Sequence, residues 1–405
     1  MKPTPKPTPR PIEVPRPDLV AALADRVQAG PPLLLTGPPG AGKTTLLLRV
    51  AERLRREGWL PVYLDLMGAA SSPESFVRSA LGALPAEAFG HELPRATEIR
   101  RLADSGRSHA EGAVQGLFAL WSALDETDGR PVLLLLDEVT EVRSLAYFSG
   151  LREVERLLGT ALAQRQRGTL VATSLPTLAR RLSAFDSVAV PPLAPAELAP
   201  FLPRGADPEA LARASFGWAR HVRVLLDRMA GGEDVAGAWA EEMALGGRLE
   251  LGCRHTYETL LLRSRGYGIS KAVLAAVARE EGLNLTALVA RLGRTPGAIR
   301  DYLQWLVGVD ALTVVKKRYF YVDGLVRWWV RLHARGVPAS AGEIEDAARE
   351  AAAPGPAGAE PSARMDDAAI EASVTALVEP GAAEIVPDAP SPSLLGRRDS
   401  LMEID

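Results

Sequence analysis

The segment Gly37-Pro38-Pro39-Gly40-Ala41-Gly42-Lys43-Thr44 constrains this chain more than any other. It is a complete G-x-x-x-x-G-K-[ST] loop. The apolar run Pro32-Leu33-Leu34-Leu35 precedes it as a buried strand, and Thr45 to Leu54 follow with helical periodicity. The glycines let the backbone curl so that successive N–H groups converge on phosphate oxygens. The start of the next helix adds its partial positive charge. Lys43 is then placed for the β and γ phosphates, and the Thr44 hydroxyl for Mg²⁺. The segment predicts a nucleoside triphosphate site made of Gly37, Pro38, Pro39, Gly40, Ala41, Gly42, Lys43, Thr44 and Thr45.

A second half of the site follows about ninety residues on. Val132-Leu133-Leu134-Leu135-Leu136 reads as a central parallel strand, apolar on both faces. It ends in Asp137-Glu138, at the strand tip where parallel α/β sheets bind ligands. Asp137 is expected to hold Mg²⁺ through its water shell, and Glu138 to act as general base on the attacking water. An isolated Asp-Glu pair would be a solvated turn. After five apolar residues, downstream of a phosphate loop, the pair points to hydrolysis.

The chain has 405 residues, 47 % hydrophobic and 24 % charged, enough for two or three globular domains. No run of 18 apolar residues suggests a membrane span. The N-terminal stretch lacks the apolar core of a secretion signal and reads as a Pro-rich arm over residues 1–14. One cysteine, Cys253, excludes an internal disulfide framework. The five histidines lack metal-ligand spacing, and a reducing, cytoplasmic setting is expected. The net charge of −3 conceals a division. Residues 340–405 hold 14 acidic and 4 basic side chains, a net of −10, leaving +7 for the rest. Rich in Ala, Pro, Gly and Ser, residues 339–405 read as a disordered acidic tail.

Between these ends, strands alternate with helices. Helices are expected at 17–30, 73–84, 112–125 and 151–167, with a polar, Arg-rich connection over 85–112. Strands are expected at Pro61–Leu66, Gly168–Ser174 and Ser187–Val190. That order predicts a parallel sheet covered on both faces, an ATPase core over residues 15–192. Pro191-Pro192-Leu193 closes it, and a helical lid follows over 193–231. Residues 232–338 read as a linker and a winged helix. There Thr295 caps and Pro296 opens the second helix of a helix-turn-helix, and the strands Leu312–Val315 and Tyr319–Val322 follow. Tyr302, Trp305 and Leu306 read as core residues. Trp328-Trp329 should anchor the last helix, with one ring pointing away from the buried stripe.

These pieces together resemble the AAA+/STAND ATPases, in particular prokaryotic ATPases with an origin-recognition-like core and a C-terminal winged helix. The matching segments are Gly37 to Thr44, Leu133 to Glu138, Leu170 to Ser174 and, more loosely, Ser215-Phe216-Gly217-Trp218. The resemblance implies ATP and Mg²⁺ as cofactors, with Thr173 or Ser174 sensing the γ-phosphate. It also implies an arginine finger from Arg165, Arg167, Arg180 or Arg181, within the chain or across a subunit boundary, while Arg220 reads either as a second sensor or as an ordinary surface arginine of the lid. Gly217-Trp218 stands where STAND members usually carry Gly-x-Pro.

Two functions fit. One is a nucleotide-dependent switch acting on protein partners or on self-assembly. The other is a DNA-binding ATPase, with Arg300 and Gln304 on the recognition helix and Lys316, Lys317 and Arg318 at the wing contacting duplex DNA. One arginine beside Asp301 is a thin basic face for DNA, which favours the switch.

Overall fold

The structure, a computed structural model, describes residues 14–354 apart from 86–91, 107–108, 125, 128, 181, 183–184 and 265–266. Most of the Pro-rich arm and residues 355–405 of the acidic tail therefore lie outside the described residues. The core opens with helix α1 (Pro17–Ala29), strand β1 (Leu33–Thr36), helix α2 (Lys43–Arg56) and strand β2 (Leu60–Asp65). Helices α3 (Pro73–Ala83), α4 (Leu93–Asp104) and α5 (Ala110–Ala123) come next. The short strand β3 (Glu126–Thr127) then leads into β4 (Arg130–Asp137), helix α6 (Val154–Ala163), and strands β5 (Thr169–Thr173) and β6 (Asp186–Ala189). The connection over 85–112 thus contains a helix that its Arg-rich surface hides in the sequence. Its apolar residues are few, but Ala96, Ile99 and Ala103 recur at helical spacing and are buried.

The parallel strands lie in the order β2-β4-β5-β1-β6, with β3 antiparallel to β4. Alternation sorts their side chains. Leu33, Leu35, Leu133, Leu135, Leu170 and Ala172 face α1 and α2, while Leu34, Val132, Leu134, Leu136 and Val171 face α3 to α6. On the second face Phe76 meets Phe118 and Trp121 edge-on, with ring centroids 6.1 and 5.9 Å away.

Beyond the core come α7 (Pro208–Ser215), α8 (Ala219–Met229), α9 (Val235–Met243) and α10 (Arg248–Arg263). Then come α11 (Tyr267–Arg279), α12 (Leu285–Leu292), α13 (Pro296–Gly308), the antiparallel pair β7 (Leu312–Val315) and β8 (Arg318–Tyr321), and α14 (Gly324–His333). As expected, the Thr295 hydroxyl accepts the Ala298 N–H ahead of α13. Leu306 is fully buried, whereas Tyr302 and Trp305 are half-buried and stack edge-on at 5.0 Å. Buried side chains from Leu193 to Ala348 form one continuous cluster. Residues 193–231 and 232–338 therefore share a single core, and the expected linker supplies Trp239 and Met243 to its centre.

Two expectations need correction here. Both Trp328 and Trp329 are buried, because α14 is enclosed on opposite sides: Trp328 packs edge-on against Trp239 and Trp329 against Tyr257. The acidic segment is also not wholly unstructured, since Ala341–Ala352 forms helix α15. Ser340 and Glu343 build a capping box, and Ile344, Ala347 and Ala348 bury an apolar stripe against α7 and α9. Average composition hid that stripe. Among the described residues, no helix is long and apolar enough to cross a membrane.

Arg165, a candidate finger, is instead a fastener of the core and only 1 % exposed. Its guanidinium donates to the carbonyls of Trp121 (2.9 Å), Leu124 (2.6 Å) and Val132 (2.9 Å) and to the Thr169 hydroxyl (2.8 Å). Arg165→Ala would strand these buried acceptors and is expected to cost about 3 kcal/mol. Calorimetry should show Tm falling by several degrees with nucleotide affinity unchanged. An unaltered Tm would refute this structural role.

Candidate functional site: the cleft at the strand tips

The strand order decides the site. Neighbours β4, β5 and β1 end respectively in Asp137-Glu138, Thr173-Ser174 and the Gly37–Thr44 loop, so segments far apart in sequence meet at one edge. Gly40 and Gly42 take φ of +89° and +98°, in the left-handed region that turns the loop back on itself. Helix α2 begins at once with Lys43.

Lys43 is buried, and all three of its ammonium hydrogens are engaged. They go to the carbonyls of Gly37 (2.9 Å) and Pro38 (3.2 Å) and to the Ser174 hydroxyl (2.7 Å). Glu138 lies 3.7 Å away. Burial lowers the Lys43 pKa, and the carboxylates of Glu138 and Asp137 work in the opposite direction. Thr44 donates its hydroxyl to Asp137 Oδ2 at 2.6 Å. The same oxygen accepts from the Tyr63 hydroxyl at 3.1 Å. Tyr63, one strand over on β2, was not anticipated. No local motif marks it; the pairing of β2 with β4, seen only in the structure, brings it to Asp137. Burial and the adjacent Asp137 charge push its phenol pKa up.

Glu138 sits in left-handed backbone at φ +48°, a costly conformation for a residue with a Cβ. Its carboxylate accepts the Ser174 N–H at 2.8 Å and, very closely, the Ser174 hydroxyl. Ser174 therefore links Lys43 to Glu138. Thr173, the alternative sensor, is turned inward. It is fully buried, pairs with the Thr140 hydroxyl at 2.9 Å and accepts the Leu175 N–H at 3.0 Å. Alternation along β5 gives adjacent residues opposite faces, so only one of the pair can face the cleft.

The cleft, about 1320 Å³, is roofed by the C-terminal unit. Arg220 N–H donates to the Gly40 carbonyl at 3.0 Å, and Arg220 lines the cleft with Arg223 and Arg263. An added Cβ on Gly40 would stand 2.9 Å from the Arg220 Cβ. The lid thus lies against the loop even though Gly217-Trp218 departs from Gly-x-Pro. Gly217 (φ +66°) makes the join, because a Cβ there would meet Pro192 at 2.7 Å. On the other side Arg16 donates to the Pro191 carbonyl at 2.7 Å and pairs with Glu197 at 3.0 Å, closing the cleft wall.

Of the other finger candidates, Arg167 and Arg180 do not line this cleft. Arg167 stacks over Trp59 (5.6 Å) near the opposite, N-terminal edge of the sheet, and Arg180 faces Asp310 of the C-terminal unit. Arg181 lies outside the described residues.

Residues 16–172 match the AAA ATPase domain family. The chain carries an AAA ATPase domain. In structure it resembles the Walker-type ATPase PABY2304 of Pyrococcus abyssi, with TM-score 0.58 and 15 % identity over 79 % of this chain and 96 % of that one. Looser likenesses are the ORC2 protein of Aeropyrum pernix (TM-score 0.42, 16 % identity, 83 % and 93 % covered) and DnaA of Aquifex aeolicus (0.33, 14 %, 71 % and 85 %). No curated protein matches the chain. The domain match makes the chain an ATPase, and the likeness to the P. abyssi protein shows the α/β P-loop fold.

Gly40→Ala would force apart the loop and Arg220 and is strained at φ +89° as well. The Arg220 amide should then exchange its hydrogen faster by about tenfold, reflecting a loss on the order of 1 kcal/mol. Unchanged exchange would show that the lid contact does not depend on this glycine.

Proposed function

We propose that the cleft binds ATP with Mg²⁺ and that hydrolysis drives a conformational switch acting on protein partners or on self-assembly. One observation carries this reading: the phosphate loop, Asp137-Glu138 and Ser174 converge, and the C-terminal unit lies directly on them. Gly37 to Thr45 would wrap the phosphates. Lys43, now bonded to loop carbonyls, would redirect its ammonium to the β and γ oxygens. The Thr44 hydroxyl and the Asp137 carboxylate, 2.6 Å apart, form a pair of hard oxygens suited to Mg²⁺ with phosphate and water. Bound there, the ion would neutralise phosphate charge. Tyr63 would orient Asp137. Glu138 would accept a proton from the attacking water once Ser174 lets go of its carboxylate, and Ser174 would report the γ-phosphate. Arg220 would add a cation from the lid.

Lys43→Ala should abolish ATP binding, measured by calorimetric titration. Glu138→Gln should bind ATP normally and turn over at least about a hundredfold more slowly, the usual share of general-base catalysis. Wild-type turnover by Glu138→Gln would remove that residue from the mechanism.

The alternative reading reserves the helix-turn-helix and the β7–β8 hairpin, read as a winged helix, for duplex DNA. Arg300, Lys316 and Lys317 are exposed, with both lysines in left-handed turn geometry at the hairpin tip. Gln304 is half-buried and Arg318 donates to the Gly282 carbonyl at 2.8 Å, which narrows the basic face. Replacing Lys316 and Lys317 by Ala should leave ATP turnover unchanged under the switch reading. Salt-sensitive stimulation of turnover by duplex DNA, lost in that variant, would favour the DNA reading.

A further inference from the structure

We infer that Asp310, which lines the same cleft, is a positioning residue that fixes the segment carrying Ser174 from the C-terminal unit, tying the docking of that unit to the state of Glu138. This rests on the proposed role of the cleft and adds a means of regulation to it. Asp310 occupies the turn between α13 and β7 with φ +55°, a left-handed position that Asp tolerates better than most residues. Its carboxylate is buried, yet among the described residues neither oxygen bonds within its own unit. Oδ2 accepts the Thr177 N–H at 3.1 Å and Oδ1 accepts the Thr177 hydroxyl at 2.6 Å. Thr177 lies three residues beyond Ser174, in the short turn Pro176–Ala179 against which α13 packs.

A second bridge has the same logic. Arg263, at the end of α10, pairs with Glu141, three residues beyond Glu138. Both chain segments that leave the phosphate-facing residues are thus held by side chains of the C-terminal unit. A buried carboxylate is a poor choice for mere adhesion. Burial pushes Asp310 up to about 7, while the Thr177 hydrogen bonds and Arg180 oppose that shift. An apolar contact would hold the surfaces together at lower cost, but it would not grip one residue by two directional bonds. With Thr177 held, Ser174 is presented to Glu138. With Thr177 released, Ser174 and Glu138 are free to separate, and the C-terminal unit loses a contact.

The test uses the full chain and Thr177→Val, which keeps the shape of a half-buried side chain and deletes its hydroxyl, with Thr177→Ser as the conservative control. Thr177→Val should raise kcat for ATP about fivefold and speed amide exchange over residues 174–180 by a similar factor, the scale expected for one lost hydrogen bond. The Kd for a non-hydrolysable ATP analogue should stay within about twofold, since the phosphate loop is untouched. Thr177→Ser should match the wild type. Simple destabilisation would not raise kcat, so the split separates positioning from a structural role. Asp310→Asn, which keeps an acceptor for one bond, should fall between the wild type and Thr177→Val. Wild-type exchange and kcat in Thr177→Val would overturn the coupling. If Lys43→Ala still bound ATP, the reading of the cleft itself would fall, whereas the exchange result in nucleotide-free protein would stand independently.

Discussion

The adjacency of β4, β5 and β1 is the constraint on which the rest depends. Parallel strands present their C-terminal ends on one side of the sheet, and this order places three such ends next to one another. Lys43, Ser174 and Glu138 form a connected chain only because of it. The pairing of β2 with β4 adds Tyr63 to Asp137. An order that separated β2, β4, β5 and β1 would leave the same residues apart.

The site is built to be satisfied without its ligand. Lys43 is buried with loop carbonyls as partners, and Glu138 is occupied by Ser174. A buried ammonium lacking such partners would be costly, so the loop itself keeps the charge solvated. Phosphate oxygens would replace those carbonyls with stronger, charged acceptors. The strained backbone at Glu138 fits a residue held in one position and required in another.

The C-terminal part is one packed unit, with its core running continuously from Leu193 to Ala348. It touches the ATPase domain where chemistry would be sensed: Arg220 on Gly40, Asp310 on Thr177 and Arg263 on Glu141. Contacts at these positions join the C-terminal unit to the segments around the cleft.

The phosphate loop, the Asp137-Glu138 strand tip and the alternation of strands with helices were legible in the sequence because each is a local pattern. Glycine spacing, a run of five apolar residues and side-chain periodicity all act within one element. Whether Thr173 or Ser174 faces the cleft was not legible, since both are small hydroxyl residues and the strand's register decides which face each takes. Arg165 reads as a candidate finger until its carbonyl partners, 33 to 44 residues upstream, are seen around it. Tyr63 and Asp310 carried no motif, because their roles come from partners 74 and 133 residues distant. The sequence determined that a complete phosphate-loop pattern exists and which strand and helix flank it. Only the tertiary structure decided which side chains complete it and what lies over it, because those depend on long-range pairing that local spacing does not encode.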